Sequence, residues 1–389
     1  MKGFKFNGIS AGIKSDNILD LGIIFSEKPA VMAALFTKNK IIAAPVILGK
    51  KKLKNRICQA ILVNSGNANC CTGDQGLKDA MDSAEMVAKI LRIDVDNVMV
   101  SSTGVIGQRL PMERIRKGIP RLIDDLETGD IDNFARSILT TDTTIKKVEK
   151  KCDVNGHVYT IVGIAKGSGM IKPDMATMLA YILTDAHVPH SVLQQSLQRS
   201  CDKSFNRISI DGDTSTNDTV ICMANGMSRA IIEDHKDIAR FNENLDHVLF
   251  GLSEKIVRDG EGATKLAKIV VKGAESSDDA FMAAQAIADS SLVKTALFGE
   301  DPNWGRIVAA AGRSGAALEM EKIDLLFDDV YILDRGSWCG QDAEALAHKV
   351  LKKSEYKIVI DFNLGDFDDY YLFCDFSMEY VKINADYRS

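Results

Sequence analysis

Strand-like and helix-like segments alternate along the whole chain, and this alternation limits most strongly which folds the chain can adopt. Residues 59–63 form an apolar run typical of a buried strand, and residues 64–69 directly after it are rich in turn formers. A helix follows with apolar residues at steps of four and three: Leu77, Met81, Ala84, Ala88 and Leu91. Further strand-like runs cover 97–100, 157–165 and 177–183. We therefore predict a fold of the α/β (α+β) class.

The length and composition of the strand-like runs change toward the C-terminal end of the chain. Its 389 residues predict two domains, at roughly 100–200 residues per domain. From about Lys322 the strand-like runs become short and rich in aromatic and β-branched residues. We place the boundary at 275/276, so that residues 1–275 form a larger core and 276–389 a smaller α/β domain.

Composition and apolar patterning exclude several classes of protein. The longest apolar run, 178–183, is far shorter than the ~20 residues of a membrane helix, so we expect no membrane partner. The net charge of −6 argues against a nucleic-acid partner. The first residues lack an apolar signal core, so we expect a cytoplasmic protein. The eight cysteines contain no CxxC pair, which favours reduced thiols and no metal site.

The common catalytic signatures are missing from this sequence. It contains no GxxxxGK[ST] phosphate loop, no GxGxxG after a strand, no HExxH and no GxSxG elbow. None of the six histidines lies in a segment rich in glycine and small polar residues, so a histidine-based triad is not expected. If the chain is an enzyme, its nucleophile must be activated in another way.

Glycine and small polar residues concentrate in a few segments between apolar runs. Ordinary loops collect such residues too, and this explanation covers most single segments. Several of them directly follow a buried strand, however, where the loops of α/β proteins gather around ligands. Ala176 and Thr177 stand where a glycine loop meets an apolar run, which is an unusual place for a strand to start.

These segments, taken in order, resemble the ornithine acetyltransferases, the monofunctional or bifunctional glutamate N-acetyltransferases of arginine biosynthesis. The stretch 166–179, KGSGMIKPDMATML, closely resembles the self-cleavage motif of that family. The resemblance extends over nearly the whole chain through seven further strings: 63–69, 102–107, 140–143, 211–218, 260–265, 299–306 and 384–389. One such string would be weak evidence, whereas eight in the same order are specific.

The resemblance implies a layered αββα core that cuts its own backbone between Ala176 and Thr177. The hydroxyl of Thr177 would attack the preceding carbonyl, and water would then hydrolyse the resulting ester. The new α-amine, with a reference pKa of about 7.7–8.0, could act as the base for its own side chain. The fragments 1–176 and 177–389 would stay associated, and the family implies an α2β2 heterotetramer of the two chains.

The resemblance also assigns roles to individual residues. Thr177 would carry the acetyl group in a ping-pong transfer from N-acetylornithine to glutamate, while Thr103 and Gly104 would form the oxyanion hole. Lys166 would bind a substrate carboxylate and Glu261 the amine of ornithine. The full set of implied substrate contacts is Thr143, Lys166, Thr177, Glu261, Asn384 and Ser389. The C-terminal domain would complete this substrate site.

Other interpretations of the same residues stay open. Thr103 and Gly104 also fit a plain turn, and Lys166 and Glu261 also fit solvated loop charges. A related self-processing aminopeptidase or amidase would use the same chemistry, although usually before a serine, and a non-catalytic binding protein could retain the fold. No cofactor is expected, and whether acetyl-CoA serves as a second acetyl donor is left open.

Overall fold

The computed structural model describes residues 1–15, 17–172 and 178–386. Its strands are β1 (Phe4–Ile9), β2 (Leu21–Phe36), β3 (Ile57–Asn67), β4 (Val98–Val105), β5 (Lys146–Val154), β6 (His157–Lys166), β7 (Leu179–Thr184), β8 (Ile208–Ser209), β9 (Thr219–Ala224), β10 (Leu266–Ala274), β11 (Asp324–Phe327), β12 (Val330–Asp334), β13 (Ser337–Trp338), β14 (Glu355–Asp361) and β15 (Phe367–Cys374). Its helices are α1 (Ala44–Lys52), α2 (Gly73–Leu91), α3 (Met112–Asp124), α4 (Ile131–Ser137), α5 (His190–Asp202), α6 (His235–Arg258), α7 (Ser277–Ala288), α8 (Ser291–Phe298), α9 (Trp304–Gly312), α10 (Gln341–Leu351) and α11 (Met378–Asp386).

The described residues divide into two compact units, each with its own sheet and helices. Among the described residues, the first unit contains Met1–Asn206 and Asp213–Leu252, and the second contains Arg207–Gly212 and residues 253–386. This confirms the predicted α/β class. The division at Leu252 lies earlier than the predicted boundary at 275/276, because β10 pairs with β14 and β15 and so belongs to the second sheet.

The first unit is built on a mixed sheet with the order β4-β3-β2-β9-β7-β6-β5, and β1 pairs with β2 beside this path. The pairs β3–β4 and β7–β9 are parallel. Successive residues of β3 enter different core clusters: Ala60 and Leu62 pack with α2 and α3, whereas Ile61 and Val63 pack with α4. Helices cover both faces, which explains why the sequence of β3 is a continuous apolar run.

The second unit is built on a sheet with the order β13-β12-β11-β14-β10-β15-β8. The alanine-rich helices α7 and α9 and the helix α10 pack their apolar faces against this sheet. Ser276, Ser290 and Asn303 cap the helices that follow them, each accepting a backbone N–H of the first turn. No helix in the described part of the chain is long and apolar enough to cross a membrane.

The helix predicted from apolar spacing is α2, with a small shift of its buried face. Ala84 and Ala88 are buried as predicted, and Leu77 and Leu91 pack at the edge of the same cluster. Met81 is 44% exposed instead, and Ala80 takes its expected place. The buried stripe of an α-helix is broad enough that a neighbouring small residue can lie closer to its centre.

We predict that Phe134→Ala lowers the free energy of unfolding by about 3–5 kcal/mol, because it leaves a cavity in a closely packed core. The ring of Phe134 on α4 is fully buried, with its centroid 5.5 Å from the centroid of Tyr181 in an edge-to-face contact. Denaturant unfolding of the two proteins measures the loss. Val158→Ala is the control, because Val158 on β6 is 58% exposed and its truncation should cost far less. Equal losses would contradict this account of the core.

Candidate active site

Thr103 and Gly104 lie near the end of β4, directly beside the polar end of β3. The two strands are parallel, and their register aligns Asn64 with Ser102 and Gly66 with Gly104. Parallel strands bring their carboxyl ends to the same sheet edge, where α/β proteins bind ligands. Two segments that the sequence separates by more than thirty residues therefore form one surface.

Gly104 occupies a position that a larger residue could not take. Its φ is +129°, and a Cβ added there would lie 2.4 Å from the carbonyl carbon of Gly66 and 2.6 Å from the nitrogen of Asn67. The close approach of the β3 backbone therefore requires glycine at this position, and it fixes the peptide of Gly104 against its neighbour.

The hydroxyl of Thr103 is held by a buried lysine. Lys166, the last residue of β6, donates a hydrogen bond from Nζ to Thr103 Oγ1 at 3.3 Å, and both residues are buried. An ammonium group has only donors, so the hydroxyl must accept this bond and keeps its own proton for another acceptor. Thr103 can therefore donate to a developing oxyanion, which is the role that the resemblance implied.

Asp142 joins this lysine to a second one inside the protein. Its carboxylate accepts hydrogen bonds from Thr140 N at 3.0 Å and Gly167 N at 2.8 Å. It also contacts the ammonium group of Lys146 and lies 3.9 Å from that of Lys166. Burial by itself would raise the pKa of Asp142, but the two ammonium groups outweigh it and hold the pKa well below its ordinary value.

Buried amide side chains tie the polar segments together. Asn217 donates from Nδ2 to the carbonyl oxygens of Ala68 at 2.6 Å and Ser102 at 2.8 Å. Asn64 accepts a bond from Ser102 Oγ at 2.6 Å and donates to the carbonyl of Asn67 at 2.9 Å. These hydrogen bonds hold three of the predicted loop segments, 64–69, 102–107 and 211–218, around Ser102.

A further lysine lies beside the site in a segment that carried no motif. Lys14 donates from Nζ to the carbonyl oxygens of Leu19 at 3.1 Å and Leu139 at 2.6 Å. Its side chain packs over Gly66, where an added Cβ would lie 2.8 Å from Lys14 Cγ. Burial lowers the pKa of Lys14 to about 8. Sequence analysis missed this residue because nothing near it in the sequence indicated chemistry.

In the second unit, Glu261 and Asn384 are joined directly. Asn384 Nδ2 donates to Glu261 Oε2 at 2.8 Å. The loop that carries Glu261 is anchored by Asp375, which accepts bonds from Thr264 N at 2.8 Å and Lys265 N at 2.9 Å. Glu261 is itself buried, so it is not the solvated loop charge that the alternative interpretation required.

The structure thus brings together Thr103, Gly104 and Lys166 in one unit, and Glu261 and Asn384 in the other. Thr143 directly follows Asp142 and is exposed. The predicted nucleophile Thr177, the cleavage residue Ala176 and the predicted substrate contact Ser389 lie outside the described residues. The sequence did not single out three of the residues that build the site: Asp142, Lys146 and Asn217. Asp142 and Asn217 nevertheless lie within the strings 140–143 and 211–218.

A buried hydroxyl that is free to donate, beside a glycine peptide at the end of parallel strands, is the kind of arrangement with which enzymes stabilise an oxyanion. The model of the ArgJ family matches residues 5–389. The chain is 49% identical to the arginine biosynthesis bifunctional protein ArgJ of Geobacter sulfurreducens, over the full length of both chains. It belongs to the ArgJ family, which confirms the resemblance to the acetyltransferases of arginine biosynthesis.

Two other relatives agree with this assignment. The glutamate N-acetyltransferase of Methanocaldococcus jannaschii is 45% identical over 100% of this chain and 97% of its own. The crystal structure of the arginine biosynthesis bifunctional protein ArgJ from Bacillus halodurans superimposes with a TM-score of 0.52 at 39% identity. That crystallised chain is covered completely, and it accounts for 54% of the present chain.

We predict that Thr103→Ala lowers kcat by roughly 10²–10³-fold and leaves KM largely unchanged, because an oxyanion donor acts mainly in the transition state. Steady-state acetyl-transfer kinetics measure both constants. Thr103→Ser keeps the hydroxyl that Lys166 orients, and it should retain most of the turnover. A change confined to KM would instead make Thr103 a substrate-binding residue.

We predict that Asp142→Asn lowers the free energy of unfolding at pH 7 by about 3–5 kcal/mol, since it leaves two buried ammonium groups without their carboxylate. The pKa of Asp142 is lower in the folded state than in the unfolded chain. Its contribution is therefore complete above the unfolded pKa of about 3.9 and is lost as the pH falls below that value.

Denaturant unfolding at pH 7 and at pH 3 should show the difference between wild type and Asp142→Asn shrinking at the lower pH. Asp132→Asn is the matched control, because the ion pair of Asp132 with Lys147 is partly exposed and should contribute at most about 1 kcal/mol. A similar loss in both variants would show that burial of the Asp142 pair is unimportant.

Proposed function

We propose that this chain transfers the acetyl group of N-acetylornithine to glutamate, releasing ornithine and N-acetylglutamate. The observation that carries this proposal is the hydrogen bond from Lys166 to the Thr103 hydroxyl, which leaves that hydroxyl able to donate beside the Gly104 peptide. The chain also belongs to the ArgJ family. Both half-reactions pass through a tetrahedral oxyanion, and such a pair of donors stabilises it. Thr177 is the nucleophile of the first half-reaction and becomes acetylated, and the amine of glutamate attacks that ester in the second, releasing the Thr177 hydroxyl.

The nucleophile becomes active when the backbone is cut between Ala176 and Thr177. The cut turns an amide nitrogen, which is not basic, into an amine with a reference pKa near neutrality, and this amine accepts the hydroxyl proton of Thr177. The complete Bacillus halodurans chain matches 54% of the present chain, and a fragment 177–389 would contain 213 of 389 residues, about 55%. The crystallised chain is thus close in size to the proposed fragment 177–389.

The substrate contacts follow from charge. The buried ammonium of Lys166 suits a substrate carboxylate, and its bonds inside the protein keep it in place for that contact. Glu261, held by Asn384, suits the amine of ornithine. Thr143, Asn384 and Ser389 complete the proposed set. The chemistry requires no cofactor, and the cleaved chains assemble as an α2β2 heterotetramer in the cytoplasm.

Incubation of the purified protein with N-acetylornithine and glutamate tests the proposed reaction. Ornithine and N-acetylglutamate should appear in equal amounts, and ornithine should accumulate only when glutamate is present. Continued ornithine release without glutamate, beyond the one equivalent per enzyme that forms the acetyl-enzyme, would indicate an amidase instead. A parallel incubation with acetyl-CoA and glutamate decides whether acetyl-CoA is a second donor.

We predict that Thr177→Ala yields a single uncut chain without acetyltransferase activity, because the variant has no hydroxyl for either reaction. Intact mass spectrometry and denaturing gels follow the cut, and the assay above follows transfer. Thr177→Ser keeps a hydroxyl and should still be cut and retain some activity. Cleavage of the Thr177→Ala chain at the same bond would refute the assignment of the nucleophile.

A further inference from the structure

The side chain of Lys14 is bonded to two segments that meet beside the oxyanion donors. Its Nζ donates to the carbonyl oxygen of Leu139 at 2.6 Å and to that of Leu19 at 3.1 Å. Leu139 lies just after α4, and Leu19 lies just before β2. Neither the acetyl transfer nor the self-cleavage proposed above gives this lysine a role, although it packs against the site.

A single peptide group joins Lys14 to Asp142. The carbonyl of Leu139 and the N–H of Thr140 belong to the same planar unit. Lys14 binds the oxygen of this unit, and the carboxylate of Asp142 accepts its N–H at 3.0 Å. Because the unit is rigid, a displacement on its oxygen side is passed to the carboxylate on its other side.

The series of polar contacts continues from Asp142 to an oxyanion donor. The carboxylate lies 3.9 Å from Lys166 Nζ, and this ammonium donates to Thr103 Oγ1 at 3.3 Å. Both charged side chains are buried, and polar groups in such surroundings act on one another more strongly than in water. The ammonium of Lys14 therefore stands at one end of a connected series whose other end is the Thr103 hydroxyl.

The stem of Lys14 packs against the second oxyanion donor through Gly66. A Cβ added to Gly66 would lie 2.8 Å from Lys14 Cγ, and one added to Gly104 would lie 2.4 Å from the carbonyl carbon of Gly66. The register of β3 and β4 aligns the two glycines. Lys14, Gly66 and Gly104 are thus stacked without room for a further side chain between them.

A buried aspartate fixes the backbone of Lys14 in this place. Asp20 is fully buried, and its carboxylate oxygens accept the N–H of Ala11 at 2.7 Å and that of Lys14 at 3.0 Å. The carbonyl of Asp20 accepts the N–H of Ser65, the neighbour of Gly66, at 2.9 Å. The segment that carries Lys14 is therefore tied to β3 at the residue before Gly66.

Lys14 keeps its charge at pH 7 despite its burial. Burial lowers its pKa to about 8, an effect that Lys166 reinforces and that Asp20 and Asp142 oppose. Hydrogen bonds donated by an ammonium group are roughly twice as strong as those between neutral groups. The two carbonyl oxygens that Lys14 binds are therefore held more firmly than a neutral donor would hold them.

We propose that Lys14 is a positioning residue for both oxyanion donors. Its stem holds Gly104 through Gly66, and its ammonium holds Thr103 through the peptide bound to Asp142. This inference rests on the acetyl transfer proposed above. Both donors act on the charge that develops in the transition state, so loss of Lys14 should lower turnover more than it weakens substrate binding.

Two variants separate the ammonium of Lys14 from its stem. Lys14→Met keeps an unbranched stem without donors, and Lys14→Ala removes both. Steady-state acetyl-transfer kinetics at pH 7, counted per cut chain, should show kcat lowered by roughly 10-fold in Lys14→Met and by roughly 10²-fold in Lys14→Ala, with KM largely unchanged. An unchanged kcat in Lys14→Met, or a change confined to KM, contradicts the proposal.

Lys52→Met is the matched control. Lys52 Nζ also donates to two carbonyl oxygens, those of Val95 at 2.5 Å and Val98 at 2.8 Å, and burial lowers its pKa as well. Its contact with β4 is at the end of the strand opposite Thr103. Lys52→Met should lower the midpoint of denaturant unfolding about as much as Lys14→Met but leave kcat unchanged. Equal losses of kcat in the two variants would reveal a general loss of structure and refute a positioning role.

A double-mutant cycle with Thr103→Ala identifies the route by which the ammonium acts. Lys14→Met should cost much less turnover in the Thr103→Ala protein than in the wild type, whereas independent effects would multiply. Lys14→Ala should keep part of its effect in the Thr103→Ala protein, because the stem acts on Gly104. Full multiplication of the Lys14→Met and Thr103→Ala effects would rule out the route through Thr103.

Conservative variants keep the proposal open to refutation if Lys14→Met does not fold. Lys14→Gln, whose amide is one atom shorter but still donates, then takes its place in the same comparisons. Lys14→Arg keeps a charged donor and should turn over several times faster than Lys14→Met or Lys14→Gln. Equal turnover would refute the role of the ammonium. A folded Lys14→Met chain that remains uncut would also refute the proposal, because Lys14 would then serve the cut and not the transfer.

The wild-type protein distinguishes this inference from the function on which it rests. A wild-type protein that transfers no acetyl group overturns the proposed function and, with it, the role of Lys14. A wild-type protein that transfers, beside a Lys14→Met protein with the same kcat, overturns only the role of Lys14.

Discussion

The buried carboxylate of Asp142 is the interaction on which the site in the first unit depends. It neutralises two lysines in the interior and binds the backbone on either side of the β5–β6 hairpin, at Thr140 and Gly167. Charges are costly to bury, so such a group is tolerated only with well-placed partners. Because Lys166 is held in this way, its ammonium reaches Thr103 from a fixed direction and sets which way that hydroxyl donates.

The same region shows how a sheet can assemble a rigid site from separate polar loops. The parallel pair β3–β4 brings two such segments to one edge, and Asn217 from a third segment bonds to both. Donors held in this way need no reorganisation as charge develops on a substrate, which makes oxyanion stabilisation effective. Thr219, two residues after Asn217, donates from its backbone N to the carbonyl of Met178 at 2.9 Å, so the segment that braces Ser102 also holds the first described residue of the next strand region.

Local patterns predicted the class of fold and most of its elements, and the departures have physical causes. β3 continues through Asn67, past the residues expected to form a turn, because its pairing with β4 stabilises a polar continuation of the strand. Met81 is exposed because the buried face of α2 is centred on the neighbouring residue, Ala80. The second unit begins earlier than predicted because strand pairing, which local composition does not reveal, assigns β10 to its sheet.

The sequence by itself determined the alternation of elements, the family, and the identity of Thr103, Gly104, Lys166 and Glu261 as candidates, since ordered strings of residues carry that information. Only the tertiary structure decided what surrounds them. It showed that Lys166 orients Thr103, that Gly104 is required by the backbone of β3, and that the buried carboxylate of Asp142 and the half-buried side chain of Lys14 lie beside the site. The physical reason is that hydration, pairing and pKa depend on neighbours in space, and the partners Thr103 and Lys166 are 63 residues apart in the chain.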